Sequence, residues 1–346
     1  MPAPASTSTI AARTWSAPLA EVRVPAAQMH CHPTRLGNIY AATIETVLLE
    51  PELLPAQTAT LHIGHATSRS LPEQRKVGRR GTARTWLERV RRGPRVDLGE
   101  RLVYDARWVD NTNVAHLFQH HLAALGLARK ALGVGPAQCL VVLESQATPF
   151  ARGLFALAGY ETCETNLPVR ANFLRFDIDR DVPYHLLRHV GELEPAGLDA
   201  CLPKRIFISR RGTRRLLNEA NVVASLRERG FETVYFESLS LREQWSLVRH
   251  AEVIAAIHGA ALGHLATRSA APELPFKLLE LFSPGLVADC FRKYAAALGG
   301  RWAGCRGKLT PEFVRCLEGA DPKALEGAHF ELDPATLERA FTQLGE

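Results

Sequence analysis

From Arg205 onward, strand-length apolar runs alternate with helical patterns at short spacing, and that alternation leaves few folds open. Arg205-Ile-Phe-Ile-Ser209, Phe231-Glu-Thr-Val-Tyr-Phe236, Glu252-Val-Ile-Ala-Ala-Ile257 and Phe276-Lys-Leu-Leu-Glu-Leu-Phe282 read as strands. A helix predicted from Leu217 to Arg229 ends at Gly230, which suits the left-handed position after a helix. Ser240, with Glu243 three positions on, forms a capping box that opens a helix running to His250. A further helix is predicted over 286–298. Strands and helices alternating through short loops imply parallel βαβ units.

The first half repeats the pattern less regularly. Thr46–Glu50, Thr60–Ile63, Arg101–Tyr104, Gln138–Leu143 and Asn172–Phe176 read as strands, and Asn113–Ala131 and Pro149–Ala158 as helices. With 346 residues the chain is long enough for two domains, each burying its own core. Residues 1–35, rich in Pro, Ala, Ser and Thr, read as a loosely ordered lead-in. Pro183, Pro195, Gly197 and Pro203 place a linker at 183–204. The expectation is an α/β protein with Rossmann-like domains at 36–182 and 205–304, and C-terminal helices at 305–346 packing back toward the first domain. In such folds ligands bind outside the carboxyl ends of the parallel strands, here Ser209, His258 and Phe282.

Hydrophobic content of 46% and charged content of 23% exclude a disordered or fibrous chain. The net charge of +6 favours anionic partners without naming one. Much of it crowds into Arg75–Arg95, which reads either as a solvated surface loop or as a patch for an anionic membrane or an acidic glycan. Seven scattered cysteines without a CxxC pair fit reduced thiols in a cytosolic protein. Met1–Trp15 has no apolar signal region and no run reaches bilayer-spanning length, so any membrane contact is expected to be peripheral. No nucleic-acid-binding motif is present.

Three groups of residues carry the chemistry. Ser209-Arg-Arg-Gly-Thr-Arg-Arg-Leu-Leu-Asn218-Glu219 places Arg210, Arg211, Arg214 and Arg215 between a strand end and a helix start. Arginine forks match phosphate oxygens in pairs, and a helix N-terminus adds free N–H groups. A solvated basic loop is the alternative reading. His258-Gly259-Ala260 follows an apolar strand, and Gly259 lets the backbone approach a ligand closely. Glu280, inside an apolar strand, is placed to accept both hydroxyls of a ribose, or is simply a strand-edge glutamate. His116 and His120 share a helix face without the HExxH arrangement, so no metal site is expected. GxGxxG, GxxxxGK[ST] and GxSxG are absent.

Taken in order, these pieces resemble glycosyltransferase family 61, a group associated with capsular polysaccharide loci. The likeness rests on Arg210-Arg211, Arg214-Arg215, Asn218-Glu219, Gly230-Phe231, Glu237, Leu241–Gln244, His258-Gly259-Ala260 with Leu262, and Leu279-Glu280, with Asn113 and His116 upstream. It implies a GT-B-like pair of Rossmann-type domains facing each other across a cleft, the first for the acceptor and the second for a nucleotide-sugar donor. It also implies metal-independent, inverting transfer to a glycan or glycolipid, with no cofactor beyond the donor. The arginines would neutralise the diphosphate, the His258-Gly259-Ala260 turn would lie against the sugar-phosphate, and Glu280 would engage the nucleoside; Ser209, Asn218 and Glu219 are further candidates for binding the donor. His116 is the first choice of catalytic base and His258 the second. The family usually carries Asn at the place of His264, Gly at that of Ala261, and often an acid at that of His120. These departures leave open a protein that binds a donor without turning it over.

Overall fold

The computed structural model describes residues 12–30, 46–68, 94–108, 112–177, 183–198, 202–286, 288–308 and 327–346. The chain divides into two compact units, 1–20 with 56–195 and 21–55 with 196–346. In chain order, β1 (Arg13–Leu19) belongs to the first unit. β2 (Val22–Val24), β3 (Ala27–His30), β4 (Thr46–Leu49) and β5 (Glu52–Leu54) belong to the second. β6 (Gln57–Thr67), β7 (Val96–Asp105), β8 (Cys139–Leu143), β9 (Thr162–Glu164) and β10 (Val169–Asp177) return to the first. β11 (Arg205–Ser209), β12 (Glu232–Tyr235), β13 (Val253–Ile257), β14 (Lys277–Phe282) and β15 (Arg301–Arg306) complete the second. The main helices are α1 (Ala123–Leu132), α2 (Pro149–Leu157), α3 (Glu219–Glu228), α4 (Leu241–His250), α5 (Cys290–Ala297) and α6 (Pro334–Leu344).

Residues 13–30 are therefore strands rather than a loose lead-in. Ala17, Leu19, Val22 and Val24 are buried at alternate positions, a period of two that the proline- and serine-rich composition obscures. Residues 75–93, the bulk of the basic stretch, lie outside the described residues. Among the described residues no helix is long and apolar enough to cross a membrane.

The first unit holds a mixed sheet, ordered β1-β6-β10-β7-β8-β9. β10, β7, β8 and β9 pair in parallel, whereas β6 pairs antiparallel with both β1 and β10. Only part of this sheet thus follows the all-parallel pattern expected. Ala59, Leu61 and Ile63 of β6 are buried while their neighbours are partly or fully exposed, an alternation typical of antiparallel pairing. The expected linker is shorter than 183–204. Leu187, Val190 and Leu193 of a 3₁₀ segment, Leu187–Leu193, are buried, and that segment packs against α1. The approach is close: a Cβ added at Gly126 of α1 would lie 1.9 Å from the His189 carbonyl oxygen. The unit boundary falls between Pro195 and Ala196.

The second unit is a doubly wound sheet ordered β12-β11-β13-β14-β15-β3-β4, parallel from β12 through β3 and antiparallel at β4. Its five strands from β11 onward lie as 2-1-3-4-5, so the winding reverses between β11 and β13. Every residue of β13 is buried, as befits a strand covered on both faces. The capping box forms as expected: the Ser240 N–H donates to Glu243 Oε2 at 2.7 Å, and the Glu243 N–H donates to Ser240 Oγ at 3.3 Å. β15 was not anticipated, and neither were β3 and β4 as members of this sheet. α6 packs on β15, β14 and β3 within this unit. Leu337, Ala340, Phe341 and Leu344 on one face of α6 join the core of the second sheet.

Candidate functional site

β11 and β13 are parallel neighbours with Ile208 opposite Ala256, so their carboxyl ends emerge side by side at the reversal of the winding. Doubly wound sheets bind ligands at that point. The loop leaving Ser209 bends back on itself. Arg214 adopts φ +59°, the sole left-handed non-glycine residue among those described, and its N–H donates to the Gly327 carbonyl at 3.0 Å. Such a conformation costs about 1–3 kcal/mol and persists where surrounding contacts enforce it. One consequence is convergence. Arg210 Nη1 and Arg214 Nη1 both donate to the His258 carbonyl oxygen, at 2.9 and 3.0 Å. Burial, then the charge of Arg214, holds the Arg210 guanidinium below ordinary arginine basicity, with Glu237 partly offsetting. Two half-buried cations sharing one neutral acceptor favour an anion beside them.

Gly259 is required by space, since its backbone is extended. A Cβ there would sit 2.3 Å from Arg210 Nη1. The obstacle is the tip of a flexible side chain, so Gly259→Ala is expected to fold normally while pushing the guanidinium off its carbonyl. Pyrophosphate affinity should fall about 3- to 10-fold, the value of one misplaced hydrogen bond. Calorimetric titration beside a thermal melt checks this; unchanged affinity would show that Arg210 does not serve the anion.

The other members of the basic loop part company. Arg211 is exposed, and its guanidinium lies 4.6 Å from the centre of the Tyr235 ring. Its N–H donates to Glu237 Oε1 at 3.3 Å. Arg215 is exposed, and its backbone bonds to His329 Nδ1 and to the Phe330 N–H. Asn218 clamps the same segment: its Nδ2 donates to the Leu332 carbonyl at 2.8 Å, and its Oδ1 accepts from the Leu332 N–H at 3.1 Å. Glu219 accepts hydrogen bonds from Ser209 Oγ and, at 3.1 Å, from the Tyr235 hydroxyl. Ala260 starts the 3₁₀ segment Ala260–Ala270 directly after Gly259. Ser209, Arg210, Arg214, Glu219, His258 and Gly259 thus gather at the strand tips, while Asn218 and Arg215 hold the C-terminal segment in place.

Glu280 has a role different from the one expected. It is fully buried; Oε1 lies 2.5 Å from His258 Nδ1, and Oε2 accepts from Trp302 Nε1 at 2.7 Å. As placed, both oxygens are engaged and no surface is left for a ribose. The pairing follows from register, because β13 and β14 set Ala256 opposite Glu280. The His258 ring stacks on Phe282 at 5.1 Å and meets Phe291 edge-on at 5.6 Å. A carboxylate thus fixes one nitrogen of a partly exposed imidazole. Trp302 escaped the sequence reading because its strand did.

His264 is buried with Nδ1 2.9 Å from the Ala261 carbonyl, and it meets Phe236 edge-on at 5.1 Å. Burial pushes its pKa down to about 4, so it is a neutral packing residue near pH 7. In the first unit, Asn113 Oδ1 accepts from the Ala115 N–H at 2.9 Å and caps the turn Val114–His116. The ring of His116 meets that of His120 edge-on at 5.5 Å. Burial, and then the charge of His116, lowers the pKa of His120 to about 4. Between that turn and α1 the helix widens into a π-helical segment, Leu117–Leu122, a rare form enriched at functional sites. An open groove of about 720 Å³ in the second unit lies away from the strand tips, between β3, β4 and α6.

The sequence model of the family described as Glycosyltransferase 61 matches residues 82–271, more than half of the chain. No curated protein matches the chain. The matched span contains His116, the whole arginine loop and His258-Gly259-Ala260, and it ends before Glu280 and Trp302.

Proposed function

The chain belongs to glycosyltransferase family 61, and from that premise we propose that it is an inverting, metal-independent enzyme. It moves a sugar from a nucleotide-sugar donor to a glycan or glycolipid acceptor in bacterial surface polysaccharide synthesis. The donor diphosphate occupies the tips of β11 and β13 in the second unit, and the first unit supplies the acceptor side of a GT-B-like pair. The observation that carries this reading is the convergence of Arg210 and Arg214 on the His258 carbonyl at the winding reversal.

The chemistry follows from the residues gathered there. An acceptor hydroxyl oxygen attacks the anomeric carbon, the bond from that carbon to the diphosphate oxygen breaks, and the hydroxyl proton passes to an imidazole. Arg210 and Arg214 stabilise the charge that collects on the departing diphosphate, work that fixed cations do without reorganising. His258 takes the proton on Nε2, with Glu280 holding Nδ1 and stabilising the imidazolium. This carboxylate partner favours His258 over His116, reversing the order drawn from sequence.

Titrating a panel of nucleoside diphosphates by calorimetry tests the donor site. At least one should bind, and Arg210→Met should weaken it about 10- to 100-fold, the range for hydrogen bonds to charged groups. If neither a nucleoside diphosphate nor pyrophosphate binds, the donor site is wrongly placed. A donor-binding protein without turnover is the rival reading, favoured by the packing role of His264 where relatives carry Asn; product formation from a panel of nucleotide sugars separates the two.

A further inference from the structure

If Glu280 is spent on His258 and Trp302, the ribose of the donor needs another acceptor. In sheets wound this way, the acidic residue that takes ribose hydroxyls follows the second strand, roughly 20 residues beyond the phosphate loop. β12 is that second strand here, and it pairs with β11 so that Tyr235 lies opposite Ser209. Glu237 follows two residues later, exposed, in a short 3₁₀ turn. It stands 26 positions after Arg211, whose N–H it accepts through Oε1 at 3.3 Å. That long bond holds the carboxylate over the start of the arginine loop, and its Oε2 accepts no hydrogen bond from the described residues. Glu219, the other carboxylate nearby, already accepts from two hydroxyls.

We infer that Glu237 accepts the 2′- and 3′-hydroxyls of the donor ribose, at the β12 side of the crevice in which Arg210 and Arg214 meet the diphosphate. The inference rests on the donor-site reading above. A carboxylate has acceptor sites enough for a vicinal diol while still receiving one backbone N–H. The same position sets its negative charge against the start of the cationic loop, where it partly offsets the mutual repulsion of Arg210 and Arg214.

UDP, GDP, ADP and CDP are titrated into the full-length protein by calorimetry, and the tightest is compared with its 2′-deoxy counterpart and with pyrophosphate. The wild type should prefer the ribo form by about tenfold, the value of a hydrogen bond to a charged acceptor. In Glu237→Gln the amide oxygen can still receive the Arg211 N–H, but one of the two acceptors becomes a donor. The ribo preference should shrink below about threefold while pyrophosphate binds within about twofold of wild type. A wild type indifferent to the 2′-hydroxyl, or a variant that keeps the preference, overturns the ribose assignment while leaving the diphosphate site standing. A wild type that binds neither pyrophosphate nor any of the four nucleotides removes the donor site itself, and this inference with it.

Discussion

Replacing His258 by Asn is expected to lower turnover by about 10²- to 10⁴-fold, the range that a positioned acid or base contributes, while nucleoside diphosphate affinity changes little. The two effects separate because the arginines bond to the backbone carbonyl of His258, not to its ring. The ring faces inward onto Phe282, Phe291 and Glu280. Glu280→Gln provides the second arm. It keeps shape and one neutral acceptor, so both His258 and Trp302 lose a charged partner and one of them loses its acceptor; turnover should fall by an intermediate factor with the nucleotide still bound. Single-turnover rates beside calorimetric affinities read both. His116→Ala decides between the histidines. Should His116→Ala abolish transfer and His258→Asn leave it within about threefold of wild type, far short of a base's contribution, the base belongs to the first unit and the Glu280–His258 couple is structural.

The couple also shows where reading a sequence stops. β11, β13 and β14 were legible because they are continuous apolar runs, and α4 because its cap is a local signal. Glu280 stood out for the right reason, a carboxylate in an apolar strand, yet its partner was assigned wrongly. Its contacts depend on the β13–β14 register and on Trp302, carried by a strand with Arg301 and Arg306 at its ends and Gly304 inside. Those residues hide a strand from any pattern of alternation, although five of its six positions are buried. Asn218 is a parallel case. Next to Glu219 at a helix start it resembles a ligand contact, but its amide is matched to Leu332, 114 positions away. The convergence of Arg210 and Arg214 depends on the left-handed turn at Arg214, a conformation for which arginine gives no signal. What the sequence conveyed was the chemical inventory of the strand tips; register and loop conformation decided which members meet.

Acidification from about pH 6.5 to about pH 4 should destabilise the protein by about 3 kcal/mol through His264 alone. The sign follows from proton counting. Burial depresses the pKa of this imidazole to about 4 in the folded chain, against about 6.5 for an unfolded histidine. Above pH 6.5 both states are neutral and pH has no hold on it. Between the two values the unfolded chain takes a proton that the native chain refuses, so stability declines steadily; below about 4 both are charged and the loss is complete. His120 and His189, each also lowered to about 4 mainly by burial, add to the slope over the same window, with smaller contributions because both are partly reached by solvent. Glu346, which burial raises but which Lys277 and Arg205 together hold below its usual value of 4.5, loses its contribution at lower pH, so the upper window belongs to the histidines. His264→Asn removes the titrating group while keeping an amide able to donate to the Ala261 carbonyl. Urea unfolding followed by tryptophan fluorescence at pH 7, 6, 5 and 4.5 (about the span of the two pKa values) should give a shallower fall in midpoint for the variant than for the wild type. Parallel curves would mean that His264 charges in the native state and that water reaches the space between Phe236 and Ala261.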